Sequence, residues 1–167
     1  PAIELALREM LGIASDDPVM TDQLWDVLEF TVPDEAKSLE DLAYLPYVET
    51  LTIQGRQMAS LDFLSSLTAL KSLDLTGCHF PTGDLEILAG LPELEKLTLA
   101  DCSLSTIAKL ADAKKLNYLD LSKNTLRNLE PLAGMTTLQE LYLQHNAVTA
   151  LDSLTTLTDL TTLAISF

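Results

Sequence analysis

A pair of apolar residues two apart, returning at an almost fixed interval, constrains this chain more than any other feature. The pairs are Leu51/Ile53, Leu73/Leu75, Leu97/Leu99, Leu119/Leu121, Leu141/Leu143 and Leu163/Ile165, with first members separated by 22, 24, 22, 22 and 22 residues. Self-similarity at a period of about 20 to 30 residues marks a chain built from one supersecondary unit that cannot bury its apolar face alone. One unit reads Leu116, Leu119, Leu121, Asn124, Leu126, Leu129, Leu132 and Met135, and the next begins at Leu138 with the same offsets. A Leu-rich helix bundle would instead carry its apolar residues at helical spacing throughout.

Each unit combines two periods. Alternation along Val48-Glu49-Thr50-Leu51-Thr52-Ile53 predicts a short strand with one apolar face. Apolar residues then come every third position, as in Leu61, Leu64, Leu67, Leu70 or Leu151, Leu154, Leu157, Leu160, which suits a 3₁₀-like or short irregular helical return. Neighbouring coils must stack to bury these faces, so the strands pair in parallel along the inside of an arc, with right-handed crossovers. The expected fold is an α/β solenoid: a right-handed coil with a parallel concave sheet and a small helical N-terminal cap. The 24-residue unit carries Pro81-Thr82-Gly83-Asp84 ahead of Leu85, Ile87 and Leu88. Its two extra residues should bulge the convex side or form a fuller helical turn, leaving the strand ladder unbroken.

Five residues after each first strand Leu stands an inward polar position, filled by Arg56, Cys78, Cys102, Asn124 and Asn146. Asn there can bond backbone groups in adjacent turns, each of which would cost about 1 to 3 kcal/mol if left unpaired. Cys is a weaker donor of suitable size. Arg56 is expected to point outward. Cys78 and Cys102 are read as structural thiols, because rungs about 4.8 Å apart exceed the roughly 3.8 Å between Cβ atoms that a disulfide prefers. A zinc site with His79 is disfavoured, since alternation turns His79 away and a fourth ligand is missing. No cofactor or metal is expected.

Residues 1–47 lack the repeat signature, and residues 48–167 hold about five units plus a final strand. Ile3, Ala6, Leu7, Met10 and Leu11 form one helical stripe ending at Gly12, a common helix stop. A second helix is expected from Thr21, with Leu24, Trp25 and Leu28 on its apolar side. Two short helices would cover the open end of the solenoid. Leu39, Leu42, Leu45 and Val48 continue the three-residue spacing as a degenerate first coil. The far end, Leu163 to Phe167, reads as a strand without a cap. The opening at Pro1 and the stop inside a repeat suggest a segment of a longer gene product.

Charge narrows the partners. The formal net charge is −15, from 25 acids against 10 Lys and Arg. Nucleic-acid binding needs clustered cations and is not expected; anionic membrane surfaces are disfavoured for the same reason. Twelve of the acids lie in the first 50 residues against Arg8 and Lys37, a net of −10 there, most simply a solvated surface. No apolar run approaches the roughly 18 residues of a membrane span, and no charged-then-apolar leader opens the sequence.

These residues follow the consensus L-x-x-L-x-L-x-x-N/C-x-L, and the chain resembles bacterial internalin-like leucine-rich-repeat surface proteins. Ile3 to Leu28 look like the helical cap of that family and Leu39 to Ile165 like its repeats. Cys78 and Cys102 in place of Asn, and the 24-residue unit, depart from the pattern. The resemblance implies a secreted, lipid-anchored or wall-anchored protein at the bacterial cell surface that binds other proteins. An intracellular scaffold or regulator, a targeting module and a spacer are the alternatives, the first of them cytoplasmic.

The side chains alternating with inward Leu should face the concave surface. In the last complete units they include Tyr118, Asp120, Ser122, Lys123, Glu140, Tyr142, Gln144 and His145, whereas earlier units offer Thr50, Thr52, Ser72, Asp74, Thr98 and Ala100. Tyr118, Asp120, Lys123, Glu140, Tyr142, Gln144 and His145 form the candidate partner-binding face, because Tyr combines large area and a polar tip with little entropy loss. Catalysis is not expected: His79 and His145 are far apart in sequence, and neither belongs to a nucleophile, zincin or phosphate-loop motif.

Overall fold

The computed structural model describes residues 1–166; Phe167, the last residue of the expected final strand, lies outside the described residues. Seven three-residue strands form one parallel sheet in chain order: β1 (Glu29–Thr31), β2 (Thr50–Thr52), β3 (Ser72–Asp74), β4 (Lys96–Thr98), β5 (Tyr118–Asp120), β6 (Glu140–Tyr142) and β7 (Thr162–Ala164). Every neighbouring pair keeps one register, which lines up Phe30, Leu51, Leu73, Leu97, Leu119, Leu141 and Leu163 as successive rungs. The fold is thus a leucine-rich-repeat solenoid with a parallel concave sheet and an N-terminal helix. Leu51, Leu97, Leu119 and Leu141 are fully buried. Removing each such side chain from water is worth about 1.5 to 3 kcal/mol.

The returns are single 3₁₀ turns, such as Asp62–Ser66, Glu130–Gly134 and Asp152–Thr156. Spacing of three suits them, since side chains at i and i+3 eclipse in a 3₁₀ helix and a single column of Leu can face the core. The 24-residue unit instead runs through a turn at Thr82–Asp84 into a short α-helix, α2 (Leu85–Ala89). The extra residues are absorbed on the convex side as a fuller helical turn, and Leu73 still pairs with Leu97.

The N-terminal segment departs from expectation. Helix α1 (Ala2–Leu11) forms, ends at Gly12 in a left-handed conformation, and buries Ile3 and Leu7, while Met10 is exposed. The helix expected from Thr21 is only a 3₁₀ turn, Gln23–Asp26, followed at once by β1. Phe30 and Val32 take the inward positions that Leu51 and Ile53 hold in the next rung. Chain that must pair with β2 cannot continue as a helix, so Trp25 and Leu28 are left about half exposed, at 53% and 48%.

Arg56 also differs from expectation. It is half-buried, and its guanidinium donates to the carbonyls of Pro33 and Ala36 in the loop after β1, while among the described residues its buried Nε has no partner. That loop leaves two carbonyls facing the solenoid, and a long forked donor reaches both where Asn would reach neither.

Candidate binding face

Four of the candidate residues meet in one block on β5 and β6. Register sets Tyr118 beside Glu140 and Asp120 beside Tyr142, so tyrosines and acids alternate across two strands. The two rings lie 5.4 Å apart at 41° to each other. The Tyr142 hydroxyl donates to Glu140 Oε2 at 2.8 Å, and Asp120 Oδ1 accepts from the Ser122 amide at 2.8 Å. Burial and the nearby Asp120 and Glu140 carboxylates raise the Tyr118 hydroxyl above its ordinary pKa; Tyr142 is raised first by its bond to Glu140. Both phenols therefore remain neutral donors in ordinary conditions.

The other three candidates sit where the chain leaves these strands. Lys123 and His145 are exposed at the turn, with φ of 55° and 56°. Their amides donate to Gln144 and Ser166 carbonyls one coil further on, at 2.8 and 3.0 Å. The same ladder runs through Gly55, Gly77 and Asp101 in the earlier coils. Gln144 is half-buried, and among the described residues its Oε1 is buried without a donor. Lys123, Gln144 and His145 thus form a rim beside the tyrosine block.

The inward position explains why these turns are held. Asn124 Nδ2 donates to the carbonyls of Leu99, Leu121 and Ser122, and its Oδ1 accepts from the amides of Cys102 and Leu104. Asn146 donates to Leu121 and Leu143 and accepts from Leu126. Cys78 and Cys102 are free and buried, and their thiols donate to the carbonyls of Ile53 and Leu75 at 3.2 and 3.1 Å. Burial pushes the Cys102 thiol up to about 12. His79 bonds Ser103 Oγ through Nε2 at 2.9 Å, and no described carboxylate orients that imidazole.

An aromatic patch at the N-terminal end went unread in the sequence. Trp25 packs edge-on against Tyr47 with centroids 6.1 Å apart, and Trp25, Leu28, Tyr44 and Tyr47 are all substantially exposed. The available signal was Phe30-x-Val32, which stands 21 residues before Leu51/Ile53. Reading it as a rung turns Leu28 outward.

Stacked rungs with an Asn or Cys bonding backbone inside each turn define a leucine-rich-repeat protein, and leucine-rich-repeat models match residues 69–91 and 92–148. Among solved structures, an internalin (inlF) from Listeria monocytogenes superposes with a TM-score of 0.82 at 30% identity, covering 96% of this chain and 48% of that one. Internalin C2 of the same species gives 0.77 at 23% identity, covering all of this chain and 86% of its own. The chain is an internalin-like leucine-rich-repeat protein. It is also 35% identical over 91 residues to mouse CD180 antigen and 32% over 94 residues to a rat leucine-rich-repeat-containing G-protein coupled receptor. It spans 14% and 10% of those two proteins.

Proposed function

We propose that this chain is a non-enzymatic protein-binding module of a bacterial secreted or surface-anchored protein, and that its partner seats on the later coils. The cap with a degenerate coil over residues 1–47 would support the repeats over 48–167 that carry the site. The observation that carries this reading is the tyrosine pair standing on an open parallel sheet, with Asp120 and Glu140 beside it and Lys123, Gln144 and His145 along its rim. Tyr is enriched where interfaces concentrate their energy, because a rigid ring buries much area and retains a hydroxyl. Likeness to a Listeria internalin supports the surface assignment. A His79–Ser103 contact with no orienting acid among the described residues, in a sequence with no Gly-rich phosphate cradle, supports a role without catalysis.

The test is selection of ligands from a displayed library of extracellular protein domains, followed by affinity measurement. Tyr118→Ala with Tyr142→Ala should weaken the selected ligands at least about thirtyfold, each tyrosine contributing roughly 1 kcal/mol or more. A convex control, Thr155→Ala, should leave them unchanged. Ligands indifferent to the double tyrosine variant would reject this face as the site.

A further inference from the structure

The concave block has a chemistry of its own. Tyr118 and Tyr142 are half-buried and hold their rings 5.4 Å apart, so a ligand meets two preset aromatic surfaces rather than two mobile ones. Their register partners are both carboxylates, Glu140 and Asp120. A third carboxylate, Asp74, faces the same side on β3, in line with Thr98 and Asp120. The ion pairs among the described residues engage Glu4, Glu49, Glu86 and Glu93, and none involves Asp74, Asp120 or Glu140. Among the described residues these three bond only neutral donors: the Gln54 amide and Thr76 for Asp74, the Ser122 amide for Asp120, and the Tyr142 hydroxyl for Glu140. The basic strand residue nearest in register is Lys96, beside Tyr118, and it is exposed.

Resting on the concave-face reading above, we propose that the Tyr118–Tyr142 pair and Asp120 form a receptor for a protruding Lys or Arg side chain of the protein partner. A cation is attracted to an aromatic face when it lies within about 6 Å of the ring centroid, and two rings in contact offer such a position with little ordering left to do. Asp120 and Glu140 then accept charge-assisted N–H bonds that their present neutral donors do not replace. The Tyr142–Glu140 bond fixes both groups before the ligand arrives. Since burial and neighbouring carboxylates keep the phenols neutral, the rings retain the electron distribution that attracts a cation rather than becoming a second pair of ions. The net charge of −15 favours approach of a basic surface.

The probes are N-acetyl-arginine amide, N-acetyl-lysine amide and the neutral N-acetyl-norleucine amide, titrated into the protein labelled with ¹³C at its tyrosine rings. The expected result is a saturable shift of the Tyr118 and Tyr142 signals with both cations and none with norleucine, Tyr44 and Tyr47 staying in place. Asp120→Asn, which keeps an acceptor for the Ser122 amide, should weaken that binding about three- to tenfold without changing the melting temperature by more than a degree or two. Equal shifts from norleucine, equal responses at Tyr44 and Tyr47, or an unchanged affinity in Asp120→Asn would each overturn the proposal. A protein ligand lost in the double tyrosine variant yet indifferent to Asp120→Asn would also sink the cation receptor while leaving the concave face as the binding site.

Discussion

The coils that end in Cys78 and Cys102 and those that end in Asn124 and Asn146 bury their leucines equally well but close their turns differently. Leu73 and Leu97 are as inaccessible as Leu119 and Leu141. In the rear coils the closing is done by side-chain amides: Asn124 alone satisfies five backbone groups. In the front coils the Cys78 and Cys102 thiols each bond a carbonyl of the preceding coil, those of Ile53 and Leu75, and backbone geometry does the rest. Gly55 and Gly77 occupy the left-handed position without cost, and a parallel bridge joins Gln57 to His79. Rear coils place Lys123 and His145 at that same strained position. Asp101 stands at that position ahead of Cys102 as well, so the lesson is that the coil-to-coil ladder carries a side chain there with either inward residue, and that Asn adds the more extensive closure.

That comparison can be broken at several points. Asn124→Ala should have the largest effect, about 3 to 5 kcal/mol in denaturant unfolding, because several buried backbone groups lose partners at about 1 to 3 kcal/mol each and part of that is recovered by relaxation. A loss no larger than that from Cys78→Ala would mean the amide is not what closes the rear turns. Leu119→Ala and Leu73→Ala should each cost about 2 to 5 kcal/mol, with little difference between them. A clear asymmetry would show that the two halves are packed unequally after all.

Alkaline titration separates the halves more gently. Cys102 is held neutral, its pKa raised by burial to about 12 from an ordinary value of 9. A raised folded pKa means its contribution is complete below pH 9 and is lost as pH climbs toward 12, so stability should fall over that window. Cys102→Ala should flatten that fall, and the native thiol should resist alkylation at pH 8. A thiol modified at the rate of a free one would contradict its burial. The smallest effect is a gain: Lys123→Gly should stabilise by about 1 kcal/mol through relief of the left-handed backbone. Gly77→Ala should destabilise by a similar amount, because an L side chain is strained at its φ of 69° while the added Cβ meets Gly55 only at an ordinary contact distance. Stabilisation in the front coil, or none in the rear, would reverse the reading of the turns.

Much of this was legible in the chain itself. Rung order, the convex placement of the two extra residues before Leu85 and the inward role of Asn124 follow from spacing, because a coil that buries leucines only against its neighbours admits one register. The alternation that sends Tyr118 and Tyr142 outward is equally local. The N-terminal end was harder to read. Ile3, Leu7 and Leu24 suggest helices, yet whether Leu24 to Leu28 continues as a helix depends on β2 offering an edge to Phe30. Helical spacing over so few residues cannot report that edge, and so it puts Trp25 and Leu28 on the buried face although both are about half exposed. Arg56 was misplaced for a related reason: its acceptors, Pro33 and Ala36, are set by how the first coil turns.

The recurring Leu-x-Leu interval by itself determines a stack of parallel rungs, since period and side-chain direction are properties of the local backbone and of water's exclusion from leucine. Only the tertiary structure decides which rings and charges of different coils come together. The contact between Tyr118 and Tyr142, the pairing of Asp120 with Tyr142 and the reach of Arg56 to an earlier loop all join residues more than twenty positions apart. Those distances are set by the pitch and curvature of the assembled coil, which no single repeat contains.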